Sequence, residues 1–470
     1  MADAVVRVVD GRAVAYPSGA GLIQPFLDAA RAARDVAVVN GNAATKSAAD
    51  LAAFATRAGL AAARAEAAAY AGRRVAIVAQ SYGQSLALAE AGQVTTQPTT
   101  GVFTLSGGSE VIGFPDYLNS PQLAQTVGNF ADLKPFAEPA GKEGWGSGTG
   151  AQWMREPDVE QVIYFAPGLP GANWSNIRPG SGWWTNAEYG LRRAAELAHA
   201  QGLAVEFDLW LTMGEADADN HDPGNNPGEA PATADEIVDI IGQARDAYWR
   251  ACAAIPNAPR KPMLWVTPML TQLPLVGGAG PRQVQNGQVL AAATLGGVDL
   301  LPSPCQFVAG YLGDLVHLGG AGKRLYAEAA TLMKRDRRAG GNRRALRMLK
   351  ASRAGATVTL TFSEPIAIDT TTIAETTAFP EQNKGFQWWS GSAFIAVTNV
   401  AVAGSTATLT LASNPGGAGE VRMSQQQAST VGNPAVAMPR SNIRAVTPLG
   451  SSIDGTTLHN FAVPQGIACA

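Results

Sequence analysis

A serine and a histidine stand out in this sequence as residues able to do covalent chemistry. The run 75–79, Val-Ala-Ile-Val-Ala, is almost wholly apolar, as a strand buried on both faces of a parallel sheet must be. It leads through Gln80-Ser-Tyr-Gly-Gln to Ser85. A small-residue turn at the carboxyl end of such a strand presents a hydroxyl to the crevice where open α/β sheets bind ligands. A serine hydroxyl is a weak nucleophile until a base within hydrogen-bond reach takes its proton and a third group orients that base. Asp314-Leu-Val-His317 offers a carboxylate and an imidazole on one turn of chain. Of the four histidines, His199 falls in an expected helix, His459 in an expected β region and His221 in a polar loop, which leaves His317 as the base. Ser81 competes with Ser85 as nucleophile, but its place within the strand predicts burial. The chemistry such a set performs is acyl transfer.

The surrounding pattern says what must position these residues. From 73 to 338 short apolar runs alternate with amphipathic helices, the signature of strands covered by crossover helices, so an α/β parallel sheet is expected. Helices are predicted over 186–200, stopped by Gly202, and after the capping pair Thr233 and Glu236, where Ile237, Ile240, Ile241 and Ala244 share one face. Strands are predicted over 204–211 and 263–267, and a last helix carries Leu325, Ala329, Leu332 and Met333 on its apolar face. Upstream, Val5 to Val9 and a turn at Asp10-Gly11 precede an alanine-rich stretch, 48–70, read as a helix that serves as a connector or an oligomer seam. Downstream, a basic stretch from Lys334 to Arg353 marks a boundary and reads as a solvated linker. From Ala356 the period switches to two, with Thr357, Thr359 and Thr361 alternating with Val358, Leu360 and Phe362. The resulting division is 1–72 lead-in, 73–338 α/β domain, 339–354 basic linker and 355–470 all-β sandwich-like module.

Four short blocks resemble, in order, those of the SGNH (GDSL-like) hydrolases. Gly83-Gln-Ser85-Leu-Ala is similar to the Gly-Gln-Ser variant of the first block, and Gly168-Leu-Pro-Gly171-Ala to the second. Gly214-Glu215-Ala216-Asp217 is similar to the third in its Gly-Glu-Ser/Ala-Asp form, and Asp314-x-x-His317-Leu to the last. Proteins resembling this branch include sialate O-acetylesterase-like enzymes, acetylxylan esterases and phage-tail-associated hydrolases. The resemblance implies a three-layer, flavodoxin-like fold with a parallel sheet and flanking helices. It also implies a serine esterase that removes O-acetyl groups from a surface polysaccharide through an acyl-serine intermediate. It assigns Ser85, His317 and Asp314 to catalysis and the N–H groups of Gly171 and Ser85 to the oxyanion. Glu215 competes with Asp314 to orient the histidine, with Gln84 and Asp217 lining the site. Asn173, Trp174, Trp183 and Trp184 are expected to line the substrate cleft. Ala216 stands where the namesake family has an oxyanion-donating asparagine; losing such a donor costs on the order of a hundred-fold in rate. A second expectation is therefore a structural or glycan-binding virion protein that keeps the fold with little activity.

Composition narrows the partners. A hydrophobic fraction of 46%, a charged fraction of 16% and a formal net charge of −3 describe a folded chain without the basic excess of a nucleic-acid binder or a membrane-surface binder. Cys252, Cys305 and Cys469 are too scattered for a disulfide framework or a metal site and are read as free thiols. The segment 217–222 resembles a calcium loop but lacks the glycine at its sixth place and the glutamate at its twelfth, and the chemistry requires no metal or cofactor. No secretory signal is legible in the first thirty residues, so synthesis in the cytoplasm is expected. Assembly into a virion, as a homo-oligomer with other virion proteins, would follow. The expected ligand is an acetylated polysaccharide or glycan.

Overall fold

The structure, a computed structural model, describes residues 74–87, 100–105, 132–138, 143–219, 232–269, 280–310, 312, 317–375, 381–425 and 438–469, and the backbone of 4–9 and 12–17. The chain divides into two compact units. One holds 1–73 with Arg338–Gly341, and the other holds 74–337 and 342–470. In the first, strands β1 (Ala4–Val9) and β2 (Arg12–Pro17) pair antiparallel from Ala4 opposite Pro17 to Val9 opposite Arg12, and the expected turn at Asp10-Gly11 lies outside the described residues. The helix expected over 48–70 lies outside the described residues.

The second unit is built on a seven-stranded sheet. Its strands are β3 (Val75–Gly83), β4 (Val102–Leu105), β5 (Leu133–Pro135), β6 (Val159–Phe165), β7 (Ala204–Thr212), β8 (Leu264–Val266) and β9 (Val298–Leu300), in the order β5-β4-β6-β3-β7-β8-β9. All neighbours run parallel except β5, which pairs antiparallel with β4. The sheet is therefore mixed where a parallel one was expected. The extra strand is three residues long and half-exposed at the edge, too short and too weakly apolar to leave a period in the sequence. β3 lies near the middle with all nine residues buried, and it runs four residues beyond the apolar stretch that announced it. Gln80 can be buried there because its amide donates to the Ala187 carbonyl and its oxygen accepts from the Tyr248 hydroxyl.

Helices cover both faces. On one, α2 (Gly182–Ala200), α3 (Ala234–Ala253) and α4 (Gly280–Thr294) pack Trp184, Leu191, Ile241, Tyr248 and Val284 against Ala76, Val78 and Tyr82 of β3 and Leu209 and Leu211 of β7. The Thr233–Glu236 capping box opens α3 as its sequence predicts, each side chain bonding the other's main-chain N–H. On the other face lie α1 (Gly146–Trp153) and α5 (Gly320–Arg338), and there Trp145 packs against Trp210 of β7 and Tyr326 of α5. Gly148 lets α1 approach α5 closely: a Cβ there would sit 2.4 Å from the Arg324 carbonyl oxygen. Lys334, the first residue of the basic stretch, is buried on this face. Its ammonium lies 2.5 Å from Asp208 of β7 and 3.3 Å from the Trp210 ring centre, and the indoles of Trp153 and Trp210 donate to the same carboxylate. Burial pushes the lysine pKa down to about 7 against the attraction of Asp208.

The rest of the basic stretch is not a linker. Arg335 bonds Glu156 and Gln152, Arg344 lies 3.5 Å from Asp299, and Leu346 is fully buried. Residues expected to connect domains form strand β10 (Met348–Ala354), because the ion pairs that anchor this segment are long-range and invisible to local composition. β10 joins β11 (Thr357–Phe362), β15 (Val397–Ala403) and β16 (Thr406–Leu411) in the antiparallel order β10-β11-β16-β15. A second sheet orders β14 (Phe394–Ile395), β13 (Phe386–Trp389), β17 (Gly419–Met423) and β21 (Gln465–Cys469) as β14-β13-β17-β21. Val358, Leu360, Phe362 and Leu409 of the first meet Phe386, Trp388, Val421 and Met423 of the second in one core, the sandwich that the two-residue period predicts. A two-strand pair, β12 (Ile366–Ile368) with β18 (Ile443–Ala445), and a short hairpin, β19 (Gly450–Ser451) with β20 (Thr457–Leu458), complete the module.

Candidate active site

Ser85 opens a single 3₁₀ turn, Ser85–Ala87, at the carboxyl end of β3. What makes the turn possible is Gly83, whose φ of +146° suits glycine and whose absent Cβ would lie 1.8 Å from the Thr212 carbonyl oxygen of β7. The chain then crosses over β7, where the Gln84 N–H donates to that same oxygen at 3.1 Å. Ser85 is left half-buried, while Ser81 is 0% exposed inside the strand, which decides between the two serines.

Across 232 positions of sequence, Nε2 of His317 stands 2.8 Å from Oγ of Ser85. The imidazole is held by its own backbone: its carbonyl accepts from the Leu312 N–H at 2.7 Å, and two residues on the Gly319 N–H donates to the Gly310 carbonyl at 2.6 Å. Gly310 and Gly322 pack so closely that a Cβ on the former would lie 2.9 Å from the latter's Cα, which seats the start of α5 directly behind the histidine. Asp314 lies outside the described residues.

The expected second and third blocks gather around this pair. The loop after β6 runs beside the nucleophile turn, with Gly168 bridging to Gly83 and the Leu169 N–H donating to the Gly83 carbonyl at 3.0 Å. Gly171 follows with φ +68°, half of a tight turn that a side chain would strain. Among the described residues the N–H groups of Ser85 and Gly171 donate to no main-chain carbonyl. Behind β7, Gly214 carries the chain into the short helix Glu215–Asp219. There Gln84 is clamped from both ends: its amide donates to Glu215, and its oxygen accepts from the Ala216 N–H at 3.3 Å. Burial raises the Glu215 pKa to about 7, opposed by its own main-chain N–H and by the nearby His317, and reinforced by Asp217. Asp217 faces the other way and accepts from the Trp174 N–H at 2.9 Å. Asn173 sits half-buried beside Gly171, accepting from the Ser175 hydroxyl.

The tryptophans expected in the cleft are elsewhere. Trp174, Trp183 and Trp184 are 6%, 4% and 1% exposed, and the last two lie on the first turn of α2, not in a loop. Trp184 meets Tyr82 at 5.1 Å edge-on, Tyr248 at 4.9 Å and Trp174 at 6.2 Å, so these rings fill the space between sheet and helices. Sequence reading passed over Thr212, whose carbonyl shapes the nucleophile turn, because only tertiary pairing gives a main-chain oxygen that role. The glycines that open the first and third blocks, Gly83 and Gly214, were the available signal. Among the described residues no group of three or more His, Cys, Asp or Glu can hold a metal ion, and no helix is long and apolar enough to cross a membrane. Cys252, Cys305 and Cys469 are buried, and none of them is in a disulfide among the described residues.

Ser85 thus follows β3, Gly171 and Glu215 follow the strands on either side of it, and His317 precedes the last helix of the α/β unit. The fold is a three-layer α/β arrangement that brings Ser85 and His317 together at the carboxyl end of β3. No protein-family model matches the sequence, and no curated protein matches it. Among solved structures it is similar to the carbohydrate acetylesterase XAC1771 of Xanthomonas citri, at 14% identity over 84% of this chain and 80% of that one, TM-score 0.48. NanS overlaps at 10% identity over 55% of this chain and 95% of its own, TM-score 0.37. The aryl esterase of M. smegmatis overlaps at 15% identity over 56% and 99%, TM-score 0.31.

Proposed function

We propose that this protein is a serine esterase in which Ser85 is the nucleophile and His317 the general base. The observation that carries the reading is the 2.8 Å contact between Oγ and Nε2 at the carboxyl end of β3. In the first half-reaction His317 takes the hydroxyl proton as Ser85 Oγ bonds to the ester carbonyl carbon. The oxyanion that forms is met by the N–H groups of Ser85 and Gly171, and His317 returns the proton to the departing alcohol. Water, deprotonated by the same imidazole, then releases the acid from the acyl-serine. Asp314 is proposed to orient the imidazole. Glu215, whose charge is felt at His317, is the alternative, and it also fixes Gln84 beside the nucleophile.

The substrate reading, O-acetyl groups on a surface polysaccharide, rests on the ordered blocks that carry the sequence resemblance. The strand order is compatible with that branch: with the edge pair β4 and β5 set aside, the remaining strands follow the doubly wound flavodoxin-like order, with Ser85 at the switch point between β3 and β7. One observation favours the alternative of a weakly active glycan-binding protein. Ala216 offers no side-chain donor, and its N–H is already engaged by Gln84. Release of p-nitrophenol from its acetate, wild type against Ser85→Ala and His317→Ala, separates the two. The esterase reading expects a loss on the order of a thousand-fold or more in both variants, and equal rates would overturn it. A series of longer acyl chains and a panel of acetylated polysaccharides then define the ester.

A further inference from the structure

His317 sits between two elements, the 3₁₀ segment Pro304–Gly310 before it and α5 after it, and the C-terminal β module holds both through one hairpin. On the first element, the Gln306 amide donates to the Thr457 carbonyl at 2.8 Å, and its oxygen accepts from the His459 N–H at 2.8 Å. On the second, Arg324, one turn into α5, reaches Asp454 at the hairpin tip at 2.5 Å and Glu328 at 2.8 Å. Glu328 is completely buried and accepts from the Ile453 N–H at 2.6 Å and from Gln152 of α1 at 2.8 Å. Gln152 in turn donates to the Ser451 carbonyl at 3.2 Å, joined there by Arg155. The hairpin is itself braced: Asp454 accepts from the Ser452 hydroxyl and from the Thr456 N–H, and the Ser452 N–H donates to the Thr456 carbonyl.

A module needed only as a separate binding domain would not need to bond both segments flanking the base, through the Gln306 amide on one and through the charged pair Arg324 and Glu328 on the other. We infer that the hairpin 449–459 is a positioning element for His317, so that the Ser85–His317 contact, and with it turnover, depends on the β module. The inference rests on the nucleophile-and-base reading of those two residues. An imidazole displaced by even an ångström loses its alignment with the hydroxyl proton, and misplacement of that size costs up to about a hundred-fold in rate. Neither Gln306 nor Asp454 touches Ser85, so their removal should act on kcat and leave KM in place.

The test uses the full chain with Gln306→Ala, Asp454→Ala and the conservative Asp454→Glu, assayed on p-nitrophenyl acetate well below each variant's Tm. Expected are a kcat lower by roughly tenfold in the two alanine variants with KM held within about twofold, and recovery of most of the loss in Asp454→Glu. Hydrogen exchange supplies a readout that does not need activity: peptides covering 304–322 should exchange faster in the alanine variants, while β3 keeps its protection. A wild type that depends on Ser85 but keeps its kcat in both alanine variants would sink this inference alone, as would exchange rising equally in β3. Equal rates for wild type and Ser85→Ala would remove the esterase reading and this inference together.

Discussion

Gly83→Ala is the sharpest perturbation of the nucleophile turn that removes none of the reacting groups. A Cβ at this position would lie 1.8 Å from the Thr212 carbonyl oxygen, whereas ordinary contact begins at 3.4 Å, so the β3 terminus and β7 must separate by well over an ångström. The atom in the way is main chain, and it cannot swing aside as a side chain would. The φ of +146° adds strain of about 1–3 kcal/mol for any residue with a side chain. The separation also breaks the Gln84 N–H bond to Thr212 and loosens the Leu169 N–H bond to Gly83 itself, each worth about 1 kcal/mol. Together these imply a stability loss of roughly 3 kcal/mol. They also imply a displacement of Ser85 from His317 large enough to cost on the order of a hundred-fold in kcat. Urea denaturation gives the first quantity and ester hydrolysis below the transition gives the second. A variant with wild-type kcat and an unchanged unfolding midpoint would refute the role given to this glycine.

Three further outcomes follow from the buried charges. Because burial lifts the Glu215 pKa to about 7, Glu215→Gln should match wild type well below that pH and fall behind as pH rises through it. Only the ionised glutamate differs in charge from glutamine; a wild-type-to-variant ratio flat from pH 5.5 to pH 8.5 would show that the charge does nothing at His317. The same shift has a stability sign: above the ordinary glutamate range the native state holds a proton that the unfolded chain has lost. Unfolding free energy should therefore decline between about pH 4.5 and pH 7, and Glu215→Gln should flatten that decline. Lys334→Met leaves Asp208 buried with its two indole donors but no counter-charge, and should cost about 3 kcal/mol in chemical denaturation; an unmoved midpoint would show the pair to be dispensable.

Much of this protein was written locally. The apolar run of β3, the capping box ahead of α3 and the alternating threonines of β11 each determine one element, because solvent and backbone chemistry act on a few neighbouring residues at a time. The order of the four blocks also picked out Ser85 and His317, which the fold brings to within 2.8 Å of each other. Tertiary structure decided everything that depends on which distant groups meet. It put Trp174, Trp183 and Trp184 into the core, turned part of an apparent basic linker into strand β10, and set Lys334 against Asp208 from 126 positions away. It also brought the hairpin 449–459 onto both flanks of His317. A sequence records hydrophobicity and charge at each place but not the partner each will find. An ion pair, a buried ring or a main-chain oxygen that excludes a Cβ has no periodic signature, because its energy belongs to two segments whose meeting only the folded chain defines.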